Sequence, residues 1–441
     1  MPAGPPTPPL AEGQGAGFGS GGTSGGAAGG RLVVPALDGF RGLAALTVVL
    51  YHVTYGSGRP PLGGLRSVFV SGYMGVDFFF VLSGFVLFLP TVLGGGRFGN
   101  VRAYGWRRAA RIVPAYYVAL VAAVLLQPLL TAERTAMPWS SREGVVSFLL
   151  HLSFLQHSVG LARNYAEGFL VIAVIWTLTV EATFYVVLPL VAGWYARHPF
   201  TGFGIALALS LAWKAAAVRA SFSVWFLPGT RSTSLLRLIL VTQLPTYLAH
   251  FAAGMTGAFL YARWRSADRP GAARLAVMAQ LVGATVVVWA MHAGGRRDLA
   301  GTAGTYDHWT QTLPVALGFA VLVLATALAP GWAQRAVTMA PARRLGDVSY
   351  GLYLWHSLVI GFALVTLGMA QDGTTGAFLR LLGLALGASL AIAAASLRWV
   401  ERPAIDWARR RSRRLQGGPS PAVAAAGVGR PPPVSRPSPP C

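Results

Sequence analysis

The chain has 441 residues, 54% of them hydrophobic and only 11% charged, with a mean hydropathy of +0.54. Typical soluble chains carry roughly a quarter charged residues, so a soluble globule of this size is excluded. Basic residues outnumber acidic ones 36 to 14, for a formal charge of +22, but the arginines lie between long apolar runs, which is a membrane pattern and not a nucleic-acid-binding one.

Residues 1–30 are mostly Pro, Gly, Ala and Ser. They hold too little apolar surface to offset chain entropy, lack the pattern of a signal peptide, and are expected to form a disordered cytoplasmic tail. Over 31–402 the composition predicts a membrane domain of ten apolar stretches of about 20 residues, each long enough for a hydrocarbon core of about 30 Å. They fall at 36–56, 71–93, 112–131, 173–195, 201–220, 239–262, 272–293, 312–330, 346–369 and 378–400. The apolar run at 145–156 is too short to cross and reads as a re-entrant or interfacial helix. Residues 403–441 are basic, then Pro-rich, and are expected to be a disordered cytoplasmic tail. The predicted fold class is therefore all-α, a polytopic membrane helix bundle with disordered termini.

Orientation follows from the arginines, because short cytoplasmic loops carry the excess of positive charge. Placing the N-terminus inside puts Arg97, Arg102, Arg107, Arg108 and Arg111 in one inner segment, and Arg263, Arg265, Arg269 and Arg274 in another. The outer loops hold fewer, partly offset by Glu133, Glu143, Glu167, Asp298 and Asp307. Both termini are predicted to be cytoplasmic, in the plasma membrane of the cell.

An ionisable side chain at bilayer depth costs at least about 2.5 to 3.5 kcal/mol, so each one within a span is a functional candidate. They are Asp38, Arg41 and His52 in the first span, Asp77 in the second, Glu181 in the fourth, Lys214 and His250 in the fifth and sixth, and Asp347 and His356 in the ninth. Arg41 and His52 are eleven positions apart, three helical turns plus about 20°, so they share one face about 16 Å apart along the axis. One stripe can thus hold both ends of an elongated ligand. His52, Asp77 and Glu181 fall about 6, 9 and 12 Å below the outer ends of their spans. Three groups suited to proton handling then lie in the outer third of the bilayer. The plainer readings are a satisfied core histidine and two carboxylates that hydrogen-bond neighbouring helices.

Arg107, Arg108 and Arg111 immediately precede the third span. They read either as lipid-facing anchors or as a phosphate clamp, since guanidinium forks match phosphate oxygens. Lys214 is the one lysine and Cys441 the one cysteine, so neither a disulfide framework nor a thiolate metal site can be built within one chain. No metal and no nucleic-acid partner is expected.

Five blocks carry a family resemblance. They are LDGFRGLA at 37–44 with His52 eleven positions after Arg41, GVDFFFVLSGF at 75–85, RAARIVP at 108–114, WTLTVEATFY at 176–185 and VSYGLYLWH at 348–356. In that order the chain resembles the membrane acyltransferase-3 family over about residues 33 to 402. The resemblance implies an enzyme that transfers an acyl group, often acetyl, from cytoplasmic acyl-CoA as co-substrate to a hydroxyl of a carbohydrate or glycosylated acceptor, with no bound cofactor. By position, His52 matches the family's catalytic histidine, Arg41 its first-helix arginine, Arg108 and Arg111 its cytoplasmic arginine motif, and Glu181 its fourth-block glutamate. Many members carry a fused extracytoplasmic esterase-like domain after the last helix, and this chain looks like the stand-alone form.

That chemistry suits the residues read above. A sugar hydroxyl needs a base as it attacks a thioester, and imidazole serves near neutral pH. A carboxylate beside it would orient the ring and stabilise the imidazolium; Glu181 is expected in that role, with Asp77 second. Arg41, Arg107, Arg108 and Arg111 are expected to bind acyl-CoA. Asp38, Ser83, Tyr350 and His356 are further candidates. Direct transfer is simpler than an acyl-enzyme, because no base is paired with Ser83 by sequence. The main competing function is a transporter whose buried charges relay protons, against which stands the absence of a repeat between the two halves of the sequence.

Overall fold

The computed structural model describes residues 34–130, 141–156, 173–219, 240–265, 270–299 and 309–415. The expected disorder at 1–30 and beyond 415 lies outside them. Long helices dominate: α1 (Ala36–Gly56), α3 (Met74–Leu93), α4 (Val101–Leu130), α6 (Trp176–Arg197), α7 (Pro199–Arg219), α8 (Leu244–Trp264), α9 (Ala272–Leu299), α10 (Trp309–Leu328), α12 (Ala340–Val365) and α13 (Thr375–Ser396). Four shorter ones, α2 (Leu65–Val70), α5 (Arg142–Leu152), α11 (Gly331–Thr338) and α14 (Arg402–Leu415), complete the described set. The molecule is a polytopic helical bundle.

Each of the ten predicted spans coincides with one long helix. Among the described residues eight helices are long and apolar enough to cross a membrane, or nine if α10 and α11, bent by 118° at their junction, form one broken span. The shortfall against ten is α8, which is not among them. It carries Thr246, His250, Gly254, Thr256 and Gly257 and packs against α3, α7 and α10. A helix enclosed by protein needs small and polar side chains more than a lipid-compatible surface, which lowers its hydropathy.

The short run at 145–156 corresponds to α5, whose 11 residues span about 16 Å and cannot cross. Tyr116 and Tyr117 of α4 donate their hydroxyls to the carbonyls of His151 and Leu152 at its C-terminal end, at 2.9 and 2.7 Å.

Two boundaries differ from the sequence reading. The arginine segment before the third span belongs to the same continuous helix, because α4 starts at Val101. The expected disorder from 403 onward is corrected in its first part: Arg402–Leu415 is a helix with Ala408 and Ser412 buried. Ser412 donates to the Ala103 carbonyl at 3.1 Å and Asn100 donates to that of Leu415 at 3.3 Å. The aromatic rings of Trp106 and Trp407 meet edge to face at 5.1 Å, with the Arg411 guanidinium over both. A basic helix is thus docked on the start of α4 by contacts that a composition-based reading does not register.

Glycine permits two of the close helix crossings. A Cβ on Gly346 of α12 would lie 2.0 Å from the Asp38 carbonyl oxygen, and one on Gly42 of α1 would lie 2.8 Å from the Gly346 nitrogen. Gly84 of α3 and Gly254 of α8 are related in the same way, each approaching the other helix's backbone to about 2 Å of a would-be Cβ. Small residues let helices in a bilayer pack backbone to backbone. Here they bring α1 and α12 together with the same chain direction, so that side chains further along both helices meet.

Candidate active site

At the end of the bundle that holds the start of α1, one pocket is lined by Arg41, Arg108, Arg111, Glu181, Ser83, Tyr185, Tyr350 and Tyr353, among others. Arg108 and Arg111 are three positions apart on α4, so one helix face presents both. Arg107 does not line the pocket. Neither Arg41 nor Arg108 forms an ion pair among the described residues, and the Nε of each is buried without a hydrogen-bond partner. Arg111 is held by Glu401 at 3.3 Å. Three guanidinium groups against one lining carboxylate, Glu181, leave the pocket with an excess of positive charge of the kind that suits an anion.

Glu181 accepts two hydroxyl hydrogen bonds on one oxygen, from Ser83 at 2.8 Å and from Tyr185 at 2.5 Å. Sequence reasoning left Ser83 without a base, and the structure gives it a carboxylate. Tyr350 donates to the Ile112 carbonyl at 2.8 Å, and the Arg111 guanidinium lies 5.8 Å from the centre of its ring. Tyr353, which the sequence reading did not single out, also forms part of the pocket wall. Its hydroxyl is bonded to Thr177 and to the Val174 carbonyl, and its ring packs edge to face on Phe79.

Beyond that wall, the ring of Tyr353 lies 5.8 Å from the ring of His356, which contacts His52 at 4.9 Å. His52 is half-buried and His356 fully buried. His356 Nε2 is 3.3 Å from His52 Nδ1, which also lies 2.9 Å from the Val48 carbonyl oxygen. His52 makes no hydrogen bond to Glu181 or Asp77 among the described residues. The expected carboxylate partner of the ring is therefore replaced by a second imidazole. The reason is first one of depth. Glu181 lines the same pocket as Arg41, about 16 Å along α1 from His52. Asp77 follows Gly75, which packs on Ala44 and Thr47 and not on His52. The three groups expected together in the outer third of the bilayer therefore do not share one level. Asp77 Oδ1 meets His250 Nε2 of α8 at 3.3 Å.

The remaining candidates take lesser places. Asp38 is half-buried and its carbonyl abuts Gly346. Asp347 is exposed, and Lys214 is buried on α7. Glu401 was missed altogether. It sits in a π-helical turn, Leu397–Glu401, that follows α13, and is 1% exposed. An insertion of this kind rotates the following side chain, which is why π turns recur at functional sites. Its only sequence signal was an acid inside an otherwise arginine-rich run.

Comparison with known proteins adds the following. A family model described as an acyltransferase domain matches residues 34–397. The peptidoglycan O-acetyltransferase OatA of Listeria monocytogenes is 25% identical over 388 residues, covering 85% of this chain and 56% of that protein. The putative peptidoglycan O-acetyltransferase YrhL of Bacillus subtilis is 24% identical over 335 residues, covering 74% of this chain and 48% of its own. The chain thus spans about half the length of these curated relatives. No solved structure matches it.

Proposed function

The chain belongs to the acyltransferase family whose domain its residues 34–397 match, and from that premise we propose that it is an integral membrane O-acyltransferase using acyl-CoA. The observation that carries the reading is the pairing on α1 of Arg41 in an arginine-lined pocket with a half-buried His52 eleven residues further along. The phosphates of acyl-CoA bind to Arg41, Arg108 and Arg111 from the cytoplasmic side, with both termini of the chain on that side. The acyl arm then runs along the roughly 16 Å of helix to His52. Acetyl is the acyl group favoured by the names of the relatives, and the same names favour a cell-envelope glycan as acceptor.

The acceptor hydroxyl oxygen attacks the thioester carbonyl while His52 Nε2 takes its proton. The C–S bond breaks, CoA leaves as thiolate, and the imidazolium returns the proton to it. General-base assistance of this kind contributes about 10² to 10⁴ in rate. Glu181 acts in the pocket, where it fixes Ser83 and Tyr185 and balances part of the arginine charge.

The test is transfer of radiolabel from acetyl-CoA to soluble muropeptides by the purified full chain. Label in the muropeptide that is released by mild base identifies an ester. Intact thioester after prolonged incubation with a range of glycans, in protein that binds CoA, sinks the reading.

A further inference from the structure

We propose that His356 is the positioning partner of His52, a neutral imidazole in the place where acid–base catalysis commonly sets a carboxylate. The proposal rests on the reading of His52 as the base and adds the group through which its protonation is stabilised. The geometry fixes the tautomers. His52 Nδ1 lies 2.9 Å from the Val48 carbonyl oxygen, and His356 Nδ1 lies 3.2 Å from that of Leu352. A carbonyl only accepts, so each Nδ1 carries the hydrogen and each Nε2 of the neutral pair is a lone pair.

The two lone pairs have different surroundings. That of His356 is turned onto the Nδ1–H of His52 at 3.3 Å, inside a fully buried ring. That of His52 makes no hydrogen bond among the described residues, and the residue is half-buried where His356 is fully buried. Of the two rings, His52 is the one placed to take a proton from an incoming hydroxyl. Tyr51 flanks its ring at 4.9 Å and restricts rotation.

When Nε2 of His52 gains that proton, its Nδ1–H becomes a charged donor shared between the Val48 carbonyl and His356 Nε2. A hydrogen bond with one ionised partner is about twice as strong as a neutral one. His356 therefore stabilises the imidazolium more than the resting ring, which is the differential effect that accelerates a reaction. No atom is transferred to His356: its own Nδ1–H stays on Leu352 throughout.

The experiment uses the purified full chain with acetyl-CoA and muropeptides, and compares His356→Leu, His356→Gln and His52→Ala. Leucine fills the space without an acceptor, whereas the glutamine side-chain oxygen can accept from His52. His356→Leu should lower kcat about ten- to a hundredfold with the KM for acetyl-CoA unchanged, the size expected for one charge-assisted hydrogen bond. His356→Gln should recover most of the loss. Equal kcat in the two variants, whether both intact or both impaired, overturns the proposal.

Nitrogen-15 NMR of histidine-labelled wild-type protein gives an arm independent of turnover. His52 should be protonated at Nδ1 and bare at Nε2, and the reverse tautomer overturns the proposal even if no variant folds. Full activity in His52→Ala removes the base reading and the partner with it. An inactive His52→Ala beside a fully active His356→Leu removes the partner alone.

Discussion

Arg111 and Glu401 meet at 3.3 Å although 290 residues separate them in the chain. The pair ties the pocket face of α4 to the π turn that follows α13, and Ser396 adds a hydroxyl to the same carboxylate at 3.4 Å. The arginine-lined pocket and the basic helix α14 are thereby parts of one packed unit.

The two partners are unequal, since Glu401 is 1% exposed and Arg111 20%. Removing the arginine strands a buried carboxylate, for which a loss of about 3 to 5 kcal/mol is typical. Removing the acid leaves a cation that can reach water. Arg111→Ala should therefore lower thermal stability clearly more than Glu401→Ala, as read by unfolding of the purified protein in one detergent. Equal losses would mean that the pair is less enclosed than its geometry indicates.

Among the described residues Arg41 and Arg108 form no ion pair, so their replacement breaks no bridge seen there. Each change to Ala should weaken acyl-CoA binding by about 1.5 to 3 kcal/mol, the range for a hydrogen bond to a charged group, while the unfolding temperature stays close to that of the wild type. Titration calorimetry with a non-hydrolysable CoA thioether measures this directly. Unchanged affinity in a folded double variant would return both residues to the role of topology signals.

His52→Ala should reduce turnover by about 10² to 10⁴ and leave acyl-CoA affinity nearly intact, because the proposed donor site is made of distant arginines. A general base works only when unprotonated, so wild-type kcat should rise with pH and level off once His52 is neutral. A rate that falls over the same limb would assign it an acid's role. Wild-type turnover in a stable His52→Ala protein would make it an ordinary core histidine.

Topology supplies the frame for all of these. Reporter fusions after residue 60 and after residue 100 should read outside and inside, respectively. An outside signal at residue 100 would place the arginine pocket on the wrong face for a cytoplasmic donor.

Sequence alone determined the features that depend on neighbours along one helix. The apolar stretches predicted where each long helix lies, because burial in lipid requires about 20 apolar residues in a row. The shared face of Arg41 and His52 and the adjacency of Arg108 and Arg111 followed from 3.6 residues per turn. Which side chains from different helices would touch was decided only by the tertiary structure. That choice depends on how deep each helix sits, how far it is rotated and how closely it packs: Gly42 and Gly346 let α1 close onto α12, which gives His52 a histidine, while Glu181 lies at the depth of Arg41. Glu401 escaped for a related reason, since a single π turn shifts the phase of the helix and carries a residue that reads as exposed into the core.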